Sequence, residues 1–195
     1  VAAFEAAGGK VVVREIVPDA ATDLSKFVAD ASAAKPDLLF IGGEYPVAAA
    51  LRAQATAAGV TVPLMGGDGI KDDALIAQAA ASAEGTFASS VGLPVDKFPG
   101  GPAFQAAYDA AKFPAPSSAY GPYAYDAANA VIRLLPQVLK GVETPSAARA
   151  ALVAALGSIA FDGVTGKVAF DEFGDTKYPE FTMYMVKDGA WTVLD

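Results

Sequence analysis

The feature that most limits the fold of this chain is an alternation of element types through residues 1–91. Apolar, β-branched runs alternate with segments of helical periodicity, and the runs begin roughly every 25 residues, the mark of repeated βαβ units in a parallel sheet. Lys10–Val17 (KVVVREIV) predicts a strand. Thr22 predicts the cap of a helix whose Leu24, Phe27, Val28 and Ala31 share one face, and Pro36 ends it. Asp37–Ile41 (DLLFI) is a short continuous apolar run, which predicts a strand buried on both faces. Pro46 falls in the first turn of the next helix and Gly59 closes it. Val62–Met65 is a further strand, Asp72–Ala80 a short helix and Gly85–Val91 another strand.

The remainder has a different character. Leu93–Gly101 (LPVDKFPGG) is rich in Pro and Gly and reads as a crossing or linker. Helices are predicted over Pro102–Ala111, Tyr120–Lys140 and Thr144–Leu156. Pro136 frays or kinks the second, and Thr144 with Pro145 starts the third. Phe161–Asp175 is turn-rich with short β pieces. Met183–Val186 and Ala190–Leu194 form a hairpin about Asp188-Gly189. Val1–Ala7 reads as the tail of a helix closed by Gly8-Gly9, with no strand before it. A βα unit needs that strand, so residues are expected to precede Val1.

Composition then removes whole classes of function. The chain has no Cys and no His, which excludes a Ser-His-Asp triad, a Cys nucleophile, a disulfide scaffold and zinc held by imidazole or thiolate. A net charge of −8 argues against nucleic acid and against anionic lipid. No apolar run reaches the roughly 18 to 20 residues that span a bilayer. No signal peptide is visible, so the residues themselves carry no address. With 18% charged and 10% aromatic residues, the chain reads as folded. Neither dinucleotide nor P-loop glycine fingerprint occurs, nor a GxSxG elbow. No catalysis, cofactor or metal is expected.

Ligands of open parallel sheets bind beyond the carboxyl ends of the strands. Three such ends are marked here: Gly42-Gly43-Glu44-Tyr45-Pro46, Gly66-Gly67-Asp68-Gly69 and Val91-Gly92-Leu93. Gly67 and its neighbours let a ligand or another backbone approach closely. Tyr45 offers an apolar wall with a polar tip, and Asp68 a charge suited to an ammonium group. Glu44 is a second acid for the same pocket, or a solvated loop residue. The plainer alternative is that the glycines make turns and that Asp68 caps a helix together with Asp72. Asp68, Asp72 and Asp73 lack the spacing of a calcium loop. Tyr120 and Tyr123 face a cleft, or pack in the core or on the surface, while Tyr125, Ala128, Asn129 and Ile132 look like ordinary helix packing.

The segments LLFIGGEYP (38–46), VPLMGGDGI (62–70), AEGTFASSVGLP (83–94), AYGPYAYDAANAV (119–131), FDGVTGKVAFDEFGD (161–175) and YMVKDGAW (184–191) carry a resemblance in order and spacing. The chain resembles the C-terminal part of type I periplasmic binding proteins, in the leucine/isoleucine/valine-binding branch that serves ABC importers. The resemblance implies an α/β fold of two lobes, each a doubly wound parallel sheet with helices on both faces, with the N-terminal half missing. Residues 1–91 would belong to the C-terminal lobe, 92–177 would pack on the N-terminal lobe, and 178–195 would return to the C-terminal lobe as its terminal hairpin. Tyr45 would match the family's pocket aromatic. Asp68 would match the acid that takes the ammonium group, where branched-chain members commonly carry Glu. Tyr120 would match an aromatic from the hinge region. The groups that hold the ligand carboxylate would lie in the missing half.

The implied function is capture of a branched-chain or similar small aliphatic amino acid and delivery to an ABC transporter permease by closure of the lobes. The implied location is the periplasm or cell surface, secreted or lipid-anchored. A ligand-sensing domain of the same fold in a receptor or regulator is the alternative. An enzyme on a doubly wound sheet would need a nucleophile–base pair, a metal site or a cofactor fingerprint. A structural component of a larger assembly is the remaining class.

Overall fold

The computed structural model describes residues 1–18 and 20–194. The chain divides into two compact units, Val1–Ser90 with Thr182–Asp195, and Val91–Phe181. The first unit opens with α1 (Ala2–Ala6), turned off by Gly8 at φ +90°. α2 (Ser25–Ala34), β1 (Leu39–Ile41), α3 (Tyr45–Ala57), β2 (Leu64–Gly66), α4 (Asp73–Ala79) and β3 (Phe87–Val91) follow. β1, β2 and β3 are parallel neighbours, with Leu39 opposite Leu64 and Met65 opposite Phe87. The alternation of apolar runs and helices thus produces the βαβ arrangement that it predicts.

α3 is the helix most enclosed by its surroundings. Its alanines Ala48 and Ala55 have no exposed surface, and their small size lets α2 and α4 come close. Pro46 occupies its first turn, where the missing N–H costs nothing. Arg52 on the same helix is buried, yet no carboxylate is paired with it among the described residues. Its Nε donates to the Ser82 carbonyl and its Nη1 to the Val62 carbonyl, each at 2.8 Å. Burial lowers the pKa of the guanidinium, but the ordinary value is high enough that the charge stays. One cation therefore ties the end of α4 to the chain entering β2.

Three expectations need correction. Lys10–Val17 is not a strand. A strand exists only by pairing, and β1 lies at the edge of its sheet beside β2, with no partner in this segment. β1 is not buried on both faces: Leu39 is buried while Phe40 is 64% exposed. Thr22 does not cap α2. Leu24 occupies the cap position, and the Gln54 side chain bridges this turn, accepting from Leu24 N–H and donating to the Thr22 carbonyl.

The second unit holds α5 (Gly101–Ala111), α6 (Gly121–Val138), α7 (Pro145–Leu156) and the antiparallel hairpin β4 (Ala160–Gly163) with β5 (Gly166–Ala169). Thr144 caps α7 as its sequence predicts. The unit is organised around a carboxylate. Asp126 of α6 is buried and accepts from Val164 N–H, Thr165 N–H and the Thr165 hydroxyl, each at 2.8 Å. Gly163 lies so near that a Cβ there would stand 2.5 Å from an Asp126 oxygen. The chain then returns through β6 (Phe181–Lys187) and β7 (Ala190–Val193), which complete the first unit's sheet. Val186 bonds at Gly85 and Thr86, and Glu180 at Gly92, so β6 runs opposite to β3. Asp188 and Gly189 both take positive φ, the geometry of a tight hairpin turn.

Two outcomes follow in denaturant titrations of the full-length protein. Arg52→Ala should lower stability by about 1–2 kcal/mol, because two partly buried carbonyls lose their donor. Asp126→Ala and Gly163→Ala should each destabilise, but their costs should not add, since removing the Asp126 carboxylate makes room for a methyl at 163. Additive costs would refute the steric account.

Candidate functional site

Three glycines shape the carboxyl ends of β1 and β2. Gly66 ends β2, and a Cβ on it would stand 2.7 Å from Ile70 Cδ1 and 3.0 Å from the Ile41 carbonyl oxygen. Without that Cβ, the fully buried Ile70 folds back over the strand end. Its anchorage shapes a single 3-10 turn, Asp68–Ile70, capped by Gly67 in extended conformation. Asp68 opens this turn on the exposed surface. Gly69 then faces the loop after β1: its Cβ would lie 2.8 Å from the Gly43 carbonyl oxygen and 3.1 Å from Glu44 Oε1. The two loops touch backbone to backbone, and only glycine at 69 permits it.

Glu44, Tyr45, Gly67 and Asp68 thus gather at adjacent strand ends of one unit. Glu44 takes the cap position of α3 but makes no side-chain cap bond; its carboxylate lies against the Asp68–Ile70 turn instead. Tyr45 is half-buried and packs on the core formed by α2, α3 and α4. Asp72 alone caps α4, accepting from Ala74 N–H at 2.8 Å. The Lys71 ammonium lies over the Tyr184 ring, 4.6 Å from its centre. Tyr120 is at the cap of α6 in the second unit, 48% exposed.

Two carboxylates and an aromatic ring at strand ends can hold a cation beside an apolar group. No helix among the described residues is long and apolar enough to cross a membrane.

The sequence pattern of the family described as periplasmic binding protein matches residues 1–190. The chain belongs to this family. A leucine-, isoleucine-, valine-, threonine- and alanine-binding protein of Pseudomonas aeruginosa is 32% identical over 183 residues, covering 92% of this chain and 46% of that protein. The solved leucine binding protein of Thermotoga maritima has the same fold, with a TM-score of 0.81 at 23% identity, covering 98% of this chain and 53% of that one. The branched-chain amino acid transporter substrate binding protein of Streptococcus pneumoniae, solved with isoleucine, gives a TM-score of 0.69 at 25% identity, covering 90% and 49%. The chain spans about half the length of these relatives, and its α/β fold is that of the type I periplasmic binding proteins. The family is one of solute-binding proteins.

Sequence reasoning passed over one residue that the fold singles out. Asp126 reads as an ordinary helix surface residue, and only the hairpin opposite it shows its use. Tyr123 packs edge-on against Phe98, with ring centres 5.7 Å apart. Burial, then the Glu180 and Asp126 carboxylates, raise its phenol pKa.

Gly69→Ala should lower the thermal midpoint by several degrees, since a methyl collides with the Gly43 carbonyl and Glu44. Gly42→Ala, with open space around its Cβ position, should leave the midpoint unchanged. Equal midpoints for the two variants would refute the contact between the loops.

Proposed function

We propose that this chain is the C-terminal part of an extracytoplasmic solute-binding protein that captures a small aliphatic amino acid and delivers it to an ABC importer by closure of two lobes. The observation that carries this reading is the gathering of Asp68, Glu44, Gly67 and Tyr45 at the carboxyl ends of β1 and β2 in a chain of this family. Asp68 receives the ligand's ammonium group, Glu44 adds a second negative charge beside it, and Tyr45 lines the pocket. Tyr120 is a further ligand-binding residue in this reading. Residues 1–91 and 178–195 form the C-terminal lobe, and 92–177 pack on the N-terminal lobe. That lobe belongs to the remaining half of the parent protein and supplies the donors for the ligand carboxylate.

Two features support the assignment of 92–177. α7 buries none of its residues, and Tyr125 and Ile132 of α6 with Leu139 just past its end repeat at every seventh position, each more than half exposed. Such a stripe is the side of a helix that packs on a neighbour. The ligand class rests on the Pseudomonas relative, whose name states binding of leucine, isoleucine, valine, threonine and alanine. The same relationship supports a periplasmic or cell-surface location and a role without catalysis.

Closure removes water from the ammonium–carboxylate pair, and removing one partner of a desolvated pair costs about 3–5 kcal/mol. Calorimetric titration of the full-length protein with the five amino acids named above is the direct test. At least one should bind, and Asp68→Ala should weaken it by at least about a hundredfold. Binding of none of the five would overturn the ligand class, and a loss under tenfold would remove Asp68 as the ammonium partner.

A further inference from the structure

The turn that carries Asp68 is gripped by the terminal hairpin, and all the residues concerned belong to the first unit. The indole Nε1–H of Trp191, on β7, donates to the Asp72 carbonyl at 3.1 Å, across 119 positions of sequence. Asp72 N–H donates to the Ile70 carbonyl at 2.9 Å, and Lys71 N–H to the Asp68 carbonyl at 3.0 Å. Backbone bonds therefore link residues 68 to 72 into one run of turns, and the indole holds its far end. Beside it the Lys71 ammonium lies over the Tyr184 ring of β6, a second contact from the same hairpin.

The hairpin is itself fixed at several points. Trp191 stands opposite Val186 in the β6–β7 ladder. Val186 is buried and bonds through its backbone to Gly85 and Thr86 at the start of β3. The Glu84 carboxylate accepts from Asp188 N–H at 3.0 Å and Gly189 N–H at 3.3 Å, which holds the hairpin turn to the chain entering β3. The Trp191 ring packs on the core. A ring so placed needs a partner for its N–H, and the partner is a carbonyl of the segment that carries Asp68.

We propose that Trp191 is a positioning residue for Asp68: by holding the Asp72 carbonyl, its indole N–H fixes the turn from which the Asp68 carboxylate meets a ligand. Ile70 anchors this turn from below and Gly69 fits it against the loop after β1. The indole fixes its exit. The proposal rests on the capture reading for its purpose, while the hold on the turn stands without it.

The first test is amide hydrogen exchange in the full-length protein without ligand, well below its thermal midpoint. Trp191→Phe keeps a ring on the core and removes the donor. It should speed exchange at Lys71 by about fivefold or more, the scale of one hydrogen bond, and leave Leu39 of β1 unchanged. Benzothienylalanine at position 191 keeps the shape of the side chain without the N–H, and decides the matter if the phenylalanine variant does not fold. Arg52→Ala weakens the same unit elsewhere and should leave the Lys71 rate as it is. The second test is calorimetric titration with an amino acid that binds. Trp191→Phe should weaken binding about three- to tenfold, and should cost nothing further once Asp68→Ala is present. An unchanged Lys71 rate, equal acceleration in Arg52→Ala, unchanged affinity, or the same loss of affinity with and without Asp68 would each overturn the proposal. Failure of the wild type to bind any amino acid would count against the capture reading alone, because the exchange rates are read without ligand.

Discussion

The arrangement of the strand ends depends on one steric fact: Ile70 fills the space that a side chain on Gly66 would occupy. Because Ile70 is fully buried there, the chain after β2 makes a single 3-10 turn and presents Asp68 on the surface. Gly69 then meets the Gly43 carbonyl, which sets the loop after β1, and Glu44 with it, against the same turn. A hydrophobic anchor below and glycines above place two carboxylates at adjacent strand ends. Preorganisation of this kind lowers what a ligand must spend on ordering the loops.

The two units are held by different means. The first has a continuous apolar core of small and branched residues from α2, α3, α4 and the sheet. The second buries little apolar surface, and a charged oxygen pair takes the organising place. Asp126 satisfies three donors of one hairpin turn, and that turn is tied back to the linker at Gly100. A buried carboxylate is costly unless every lone pair facing the protein is used, and here the turn supplies the donors. Tyr125, Ile132 and Leu139 leave apolar surface of the second unit exposed.

Much of this was legible in the residues. The helix starts at Pro46, Asp72 and Thr144 follow from capping chemistry confined to a few neighbours, and the structure has them. The turn at Asp188-Gly189 is equally local. Lys10–Val17 shows the limit. Its β-branched composition describes a strand well enough, but strand formation needs a partner, and composition does not state where the partner is. Thr22 failed as a cap for a similar reason: Gln54, far along the chain, takes over the turn.

The sequence by itself determined most of the element types, the parallel βαβ alternation and the glycine-marked ends of two strands, because these follow from short-range periodicity and backbone freedom. It also carried the family resemblance, which the match over residues 1–190 establishes. Only the tertiary structure decided that Glu44 leans on the Asp68 turn, that Arg52 serves carbonyls and not a carboxylate, and that Asp126 holds the hairpin. Each of these joins residues distant in sequence. Their partners are chosen by packing, and packing is a property of the folded chain rather than of any segment in it.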